Sequence, residues 1–314
     1  SQSGYWKLES DNSLRGTGIE LISVPMFGKD IEQALDVVEG FFKKAKYLPT
    51  FNARPSLHVH VEVVDLSREE LIRFILLYCA VEPLLFNFCE KSRRDNVYCL
   101  PVHTVESVKR RTAELITYLE GGDRRGVQSL LKGWPKYAAL NLNNITGIGT
   151  AEFRQLHCTV DKHEILTWVK LLLSIKRFAV TDMANYNDFP EIVSGFDPRQ
   201  YLQGIFGDLA VHLDSPELGE QLLQGVRCAQ DILLYRRLEK ATELIKAKQV
   251  QGKPSSATRI FGTTSREPKK GGLKPKGIYA QFLHDQGLPA VSMPGVASGI
   301  WINSSTTTTA GGED

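Results

Sequence analysis

The chain has 314 residues, of which 42% are hydrophobic and 24% charged, and its formal net charge is +2. This size and apolar content allow one large core or two modest ones and exclude a fibrous or wholly disordered protein. The near-neutral charge gives no overall reason to expect nucleic acid or an acidic membrane as a partner. The five cysteines include no Cys-x-x-Cys pair, which disfavours a disulfide framework and a cysteine-rich zinc site and favours a reducing cytoplasm.

The first 180 residues alternate between predicted strands and helices. Strands are predicted at residues 6–8, 19–24, 57–62, 137–142 and 150–154. Helices are predicted from residue 30 to about 48, 68 to about 91, 104 to 121 and 162 to about 178; Ser67 with Glu70, and Asp161 with Glu164, form N-terminal capping signals. This order lacks the regular βαβ rhythm of a parallel sheet. It predicts an α+β domain built on an antiparallel sheet.

The remainder of the chain differs in composition. A long charged helix is predicted from residue 215 to about 249, and residues 251–278 carry seven Lys and Arg side chains against one Glu, a local charge of +6. Residues 278–314 set isolated apolar anchors among Gly, Ser and Thr, so we expect a tail that is disordered or wrapped around a partner. The predicted divisions are a main domain at 1–180, a helical extension at 181–250, and a basic linker with an extended or disordered tail at 251–314.

Membrane and export signals are not expected. We find no apolar run that approaches the roughly 20 residues a membrane helix needs, and no leader of the charged-then-apolar type before the first motif. The prediction is a soluble protein of the cytoplasm.

The predicted strand at 57–62 carries a His-x-His motif. Successive side chains of a strand point to opposite faces, so His58, His60 and Glu62 share one face. The opposite face is apolar and contains Leu57, Val59 and Val61.

The predicted strand at 150–154 alternates in the same way and places Glu152 and Arg154 on one face. If the two polar faces meet, imidazole, carboxylate and guanidinium groups converge, a set that suits a divalent cation and a phosphate. The competing interpretation of each stretch is a solvated sheet face, because polar alternation is common on exposed sheets.

Six segments in order resemble one family. They are Trp-Lys-Leu-Glu-Ser-Asp-Asn-Ser-Leu at 6–14, Gly-Ile-Glu-Leu-Ile-Ser-Val-Pro at 18–25, Leu-His-Val-His-Val at 57–61, Ser-Arg-Arg-Asp-Asn-Val-Tyr-Cys at 92–99, Tyr-Ala-Ala-Leu-Asn at 137–141, and Gly-Thr-Ala-Glu-Phe-Arg at 149–154 with Thr159. The series resembles the amidoligase family of phage and bacterial genomes, relatives of glutamine synthetase and glutamate-cysteine ligase. The resemblance implies a curved antiparallel sheet with helices packed on one face.

The chemistry implied by this resemblance is ATP-dependent joining of a carboxylate to an amine through an acyl phosphate. Mg²⁺ or Mn²⁺ bridges the phosphates in the related ligases, and a transferring phosphoryl group needs fixed positive charge. The implied partners are small-molecule or peptide carboxylates and amines that serve as substrates. The implied location of the protein is the host cytoplasm, or a virion if the gene is phage-encoded.

The resemblance also implies roles for particular residues. His58 and Glu152 would share a metal ion, and Glu20 would bind a second cation. His60 would lie toward the ATP phosphates. Arg154 would contact phosphate or the substrate carboxylate. Arg93 or Arg94 would add phosphate contacts, although both follow a helix end, where a structural role is about as well motivated.

One expected element of the family has no counterpart in this sequence. Relatives carry a Glu-x-Glu pair after a glycine on a strand near the amino terminus, and nothing upstream of Trp6 supplies it. Either that strand precedes Ser1 or this copy has lost it. Loss would weaken cation binding, because affinity follows the number of ligand charges.

Two other functions stay open at this point. The chain is alternatively a catalytically degenerate component of an assembly, such as a phage virion or a homo-oligomer, whose tail docks on neighbours. A zinc hydrolase using His58, His60 and Glu152 is the other alternative, although the helical His-Glu-x-x-His motif is missing. The basic linker lacks interleaved aromatic residues and is expected to be a solvated tether rather than a nucleic-acid-binding segment.

Overall fold

The computed structural model describes residues 6–10, 17–45, 55–181, 197–251 and 298–306. The strands are β1 Trp6–Ser10, β2 Thr17–Ser23, β3 Leu57–Glu62, β4 Leu140–Asn141, β5 Thr150–Phe153 and β6 Ser298–Thr306. The α-helices are α1 Lys29–Lys44, α2 Arg68–Phe88, α3 Glu106–Gly121, α4 Arg124–Lys132, α5 Lys162–Ala179, α6 Pro198–Phe206 and α7 Leu218–Gln251. Short 3₁₀ helices span Lys91–Arg93, Asn143–Thr146 and Gly207–Leu213. The predicted mixture of helices with an antiparallel sheet is confirmed.

The six strands form one sheet in the order β1-β2-β6-β3-β5-β4, and each neighbouring pair is antiparallel. The last strand in sequence lies in the middle of the sheet, paired on one side with β2 and on the other with β3. The β1–β2 hairpin therefore joins the rest of the sheet through β6. Part of the tail that we expected to be disordered or wrapped around a partner is a strand of the chain's own sheet.

The apolar face of the sheet packs against helices. Leu57, Val59 and Val61 of β3 are fully buried. The ring of Phe153 on β5 meets the rings of Phe74 and Tyr78 on α2 in edge-to-face geometry, at centroid distances of 6.1 and 5.6 Å. The alternation in β3 thus places its histidines on the face opposite to this core.

The central helix α2 starts as its sequence predicts. Ser67 caps it, accepting from the Glu70 amide while the Glu70 side chain accepts from the Ser67 amide. Contrary to our expectation that no run is long enough, α2 meets the length and composition of a membrane helix. Because 83% of its most apolar window is buried inside the protein, α2 has the character of a core helix.

Several predicted boundaries differ from the structure. The strand predicted at 137–142 has only two residues, Leu140–Asn141, and α4 was not predicted. The helix predicted to reach residue 48 ends at Lys44. The turn at 11–13 and most of the basic segment, 252–278, lie outside the described residues. The division into three segments stays a prediction.

Candidate active site

Strands β3 and β5 bring the two predicted polar faces together. Their antiparallel register pairs His60 with Glu152, and Nδ1 of His58 lies 3.1 Å from Oε1 of Glu152. These side chains are buried, with 6% of His58, 6% of His60 and 5% of Glu152 exposed. The solvated-face alternative is therefore wrong for these three side chains, which lie together in the interior, whereas Glu62 at the end of β3 is half-buried.

The Glu152 carboxylate accepts four hydrogen bonds. Oε1 accepts one hydrogen bond from Nδ1 of His58 at 3.1 Å and one from Nη1 of Arg154 at 2.6 Å. Oε2 receives the side-chain amides of Asn141 at 2.7 Å and Asn144 at 3.1 Å. Four bonds use the full ordinary acceptor capacity of a carboxylate. Glu152 is thus the centre of a closed hydrogen-bond cluster formed with His58, Asn141, Asn144 and Arg154, which we call the Glu152 cluster.

The two asparagines reach Glu152 because of local structure. Asn141 is opposite Glu152 in the β4–β5 register, and Asn144 lies on the 3₁₀ helix Asn143–Thr146, which begins one residue after the end of β4. Asn141 also accepts from the Asn143 amide at 3.0 Å, which fixes the turn between them. Sequence reasoning assigned neither asparagine a role. The available signal was the run Asn-Leu-Asn-Asn at 141–144, which begins at the last residue of the motif at 137–141.

Arg154 is held at two points. Besides its bond to Glu152, its Nε donates to the carbonyl of Tyr98 at 3.4 Å. Among the described residues, Nη2 of Arg154 donates to no protein group, while 12% of the side chain is exposed. This arrangement fixes the guanidinium and leaves one of its nitrogens available to an anionic ligand.

The neighbouring arginines differ from Arg154 in their surroundings. Arg93 is fully buried, and its guanidinium donates to the carbonyls of Gln155 at 3.0 Å and Arg154 at 2.8 Å. Arg94 is exposed. Neither guanidinium is among the groups that contact Glu152. Arg93 thus supports the backbone that carries Arg154, and its predicted phosphate contact stays a prediction, as does that of Arg94.

Burial determines the protonation of the two histidines. It lowers the pKa of His60 to about 4, with the charges of His58 and Arg154 adding to the effect and Glu152 opposing it. Burial and the Arg154 charge likewise lower the pKa of His58, against the influence of Glu152. His58 is therefore a neutral imidazole at pH 7. Its Nδ1–H donates to Glu152 and its Nε2 accepts from the Ser56 hydroxyl, 2.8 Å away.

Glu152 is ionised. Burial alone would raise its pKa, but the hydrogen bond from His58 and the positive charge of Arg154 outweigh burial and hold the pKa well below its usual range. A buried carboxylate of this kind is stable because it has a charged partner and a complete set of donors.

Glu20 is on the same side of the sheet but away from this cluster. The register pairs Glu20 with Asn303 of β6, and His58 with Trp301 of β6, so a whole strand separates β2 from β3. Two strand spacings correspond to about 10 Å. The structure therefore brings together His58, His60, Glu152 and Arg154 and leaves Glu20 outside.

The described side chains around Glu152 do not complete a divalent-cation site. In the described part of the chain no group of three or more His, Cys, Asp or Glu side chains could hold a metal ion. The one carboxylate of the cluster has both oxygens engaged by nitrogen donors, one of them a guanidinium. This donor set gives a bound cation no uncommitted carboxylate, so it supports neither the shared metal predicted for His58 and Glu152 nor the zinc hydrolase.

Comparison with known proteins identifies the family. The family model described as "Putative amidoligase enzyme" matches residues 1–176, which is more than half of the chain and contains the whole Glu152 cluster. No curated protein and no solved structure shows a significant match to the chain. By this family match, the chain belongs to the amidoligase family.

Proposed function

We propose that this protein is an ATP-dependent ligase that joins a carboxylate to an amine through an acyl phosphate. The observation that carries the proposal is Arg154, a cation fixed by Glu152 and the Tyr98 carbonyl, whose Nη2 donates no hydrogen bond to a described protein group. A preorganised guanidinium suits a phosphate or a substrate carboxylate because its permanent charge and the N–H donors of its remaining nitrogen are held in a fixed direction. Family membership supplies the reaction class.

In the proposed first step, a carboxylate oxygen of the substrate attacks the γ-phosphorus of ATP. The bond from this phosphorus to the β–γ bridging oxygen breaks, and ADP leaves. In the second step the amine nitrogen attacks the acyl carbon, the carbon–oxygen bond to phosphate breaks, and the nitrogen loses a proton. Arg154 would stabilise negative charge on the phosphoryl or carboxylate oxygens.

The other members of the cluster would keep Arg154 in position. Glu152 neutralises and orients the guanidinium, and the two asparagines and His58 keep Glu152 ionised and fixed. We propose that Mg²⁺ or Mn²⁺ enters as part of the nucleotide complex, since the side chains that the structure describes form no cation site by themselves. His60 is proposed to lie toward the phosphates.

Membership of the amidoligase family supports wider proposals about this protein. We assign its antiparallel sheet to the curved type of glutamine synthetase and glutamate-cysteine ligase, and we place the enzyme in a bacterial or phage-infected cytoplasm. Its substrates would be a small or peptide carboxylate and an amine.

The test is release of ADP and phosphate with Mg²⁺ or Mn²⁺ and a panel of carboxylates and amines. Arg154→Ala is expected to abolish turnover, while Arg154→Lys retains the charge but loses the planar fork and should raise KM for ATP. His163→Ala, on α5 and outside the Glu152 cluster, is the matched control and should retain activity. ATP consumption that Arg154→Ala leaves unchanged would contradict the proposal.

A second candidate is a non-catalytic assembly component. It is favoured by the closed hydrogen bonding of Glu152, which makes the cluster a complete structural unit without any ligand. It predicts no ATP consumption with any substrate pair, together with a defined oligomer or particle that forms without nucleotide. Nucleotide-dependent turnover lost in Arg154→Ala would exclude it.

A further inference from the structure

A second polar cluster lies on the helix side of the sheet, behind the Glu152 cluster. Its centre is Glu82, a fully buried carboxyl group in the C-terminal half of the apolar helix α2. All the other buried residues of α2 are uncharged. Burying such a group is costly unless hydrogen bonds compensate it, so its partners indicate its purpose.

Glu82 accepts hydrogen bonds from a loop and from a side chain. Oε1 receives the amide of Val102 at 3.0 Å and the hydroxyl of Tyr78 at 2.6 Å. Oε2 receives the amide of His103 at 2.9 Å and lies 2.7 Å from Nδ1 of the same residue. Glu82 thus fixes the end of the loop that follows α2.

This loop carries the carbonyl that holds Arg154. The Tyr98 carbonyl accepts from Nε of Arg154, and the next residues are tied into the sheet: the Leu100 amide donates to the Tyr137 carbonyl at 2.6 Å, and the Ala139 amide donates to the Leu100 carbonyl at 2.8 Å. The Arg154 amide in turn donates to the Ala139 carbonyl at 2.9 Å. Displacing the loop would therefore move the Tyr98 carbonyl away from Arg154.

Tyr78 connects Glu82 to the residue beside Arg154. Burial, followed by the charge and hydrogen bond of Glu82, raises the pKa of Tyr78 well above its usual value, so its hydroxyl remains a donor to Glu82. The hydroxyl oxygen can then accept, and Nε2 of Gln155 donates to it at 2.7 Å. Glu82 thereby supports two segments beside Arg154: the loop that contains Tyr98 directly, and the Gln155 side chain through Tyr78.

We propose that Glu82 is a positioning residue for Arg154, acting through the loop at Tyr98 and through Tyr78 and Gln155. Its significance for turnover rests on the proposed function, whereas its effect on the geometry of Arg154 does not. Glu82→Gln exchanges one acceptor oxygen for an NH₂ donor. In one orientation of the amide the NH₂ group faces the backbone amide and ring of His103, and in the other it faces the donors of Val102 and Tyr78. The loop must then shift.

The direct test is NMR of arginine Nε–H groups in the full-length protein. Because Nε of Arg154 is bonded to the Tyr98 carbonyl, Glu82→Gln is expected to speed its hydrogen exchange by about tenfold or more, the factor expected for loss of a charged hydrogen bond. The internal control is Arg73, which lies on α2 together with Glu82 and whose Nε donates to the Ala179 carbonyl at 2.8 Å. The exchange rate of its Nε–H should not change. Faster exchange at Arg73 as well would mean general unfolding and would overturn the inference, as would unchanged exchange at Arg154.

Tyr78→Phe provides a second variant that retains the Glu82 carboxyl group and the loop bonds. It should change the Arg154 signal less than Glu82→Gln does, and an equal or larger change would contradict the role of the loop. If the wild type turns over ATP, Glu82→Gln should lower kcat/KM in the wild-type background but cause little further loss in an Arg154→Lys background, which retains turnover and has no Nε for the loop to hold. A wild type without turnover rejects the proposed function, and the NMR result then still decides the positioning role.

Discussion

His58 and Glu152 come from strands far apart in sequence, and their Nδ1 and Oε1 atoms lie 3.1 Å apart in the protein interior. The antiparallel register of β3 and β5 produces this contact, because it pairs Glu152 with His60 and leaves His58 one step along the same face. The contact links a neutral imidazole to an ionised carboxylate. The stability of this pair depends on the other donors around Glu152.

Removing the central carboxylate should destabilise the protein strongly. Glu152→Ala leaves Arg154 without its counter-ion and removes the acceptor used by Asn141 and Asn144, so we expect a loss of about 3 kcal/mol in the free energy of unfolding. Urea unfolding measures it. The control is Glu114→Ala on the surface of α3, where the ion pair with Arg111 is 3.8 Å long and partly exposed, and the expected change is below about 1 kcal/mol. Equal losses in the two variants would contradict the account of the cluster.

The histidines should make stability depend on pH. The pKa of His60 is about 4 in the folded protein against 6.5 for an ordinary histidine, so between these values the unfolded chain binds a proton that the folded chain does not. Stability therefore rises with pH across this window and levels off above about 6.5, with His60 contributing at most about 3 kcal/mol.

The measurement is urea unfolding at pH 5 and pH 7.5, a range in which Glu152 remains ionised. His60→Gln should show a smaller difference between the two pH values than the wild type. His163→Gln, at an exposed position on α5 outside the Glu152 cluster, should retain the wild-type difference. A His60→Gln protein with the full pH dependence would show that His60 is not the titrating group.

The central position of β6 predicts a marked effect of truncation. A chain ending at Gln251 lacks the strand that pairs with both β2 and β3, so amide exchange should accelerate along Thr17–Ser23 and Leu57–Glu62. A chain ending at Thr306 retains β6 and serves as the control. Adding a peptide of residues 298–306 to the shorter chain should restore protection. Unchanged protection of β3 in the shorter chain would show that β6 is not required in the sheet.

Helices α2 and α7 approach each other closely at Gly225. A Cβ atom at this position would lie 2.0 Å from the Ala80 carbonyl oxygen and 2.9 Å from the Cys79 carbonyl oxygen, both backbone atoms that cannot move without shifting α2. Gly225→Ala is therefore expected to cost about 3 kcal/mol or more. Gly204→Ala in α6 meets no atom within 4 Å and should stabilise the protein by up to about 1 kcal/mol. Thermal unfolding of the two variants tests this contrast, which would fail if both shifted Tm in the same direction.

Local features were predictable because they depend on neighbouring residues. The capping signals at Ser67 and Asp161 begin helices as expected, and the side-chain alternation at His58–Glu62 and at Thr150–Arg154 places the polar residues on the correct face. The ordered set of motifs also indicated the family, which the match over residues 1–176 confirms.

The sequence by itself determined the faces of the strands, the starts of the main helices and the family, because each depends on short-range periodicity or on residues in a fixed order. Only the tertiary structure decided that Asn141 and Asn144 complete the bonding of Glu152, that Glu82 supports the loop at Tyr98, and that β6 separates Glu20 from His58. These contacts depend on strand register and on chain segments that meet across long sequence separations. No local pattern specifies which distant partner occupies a neighbouring position in a sheet or core.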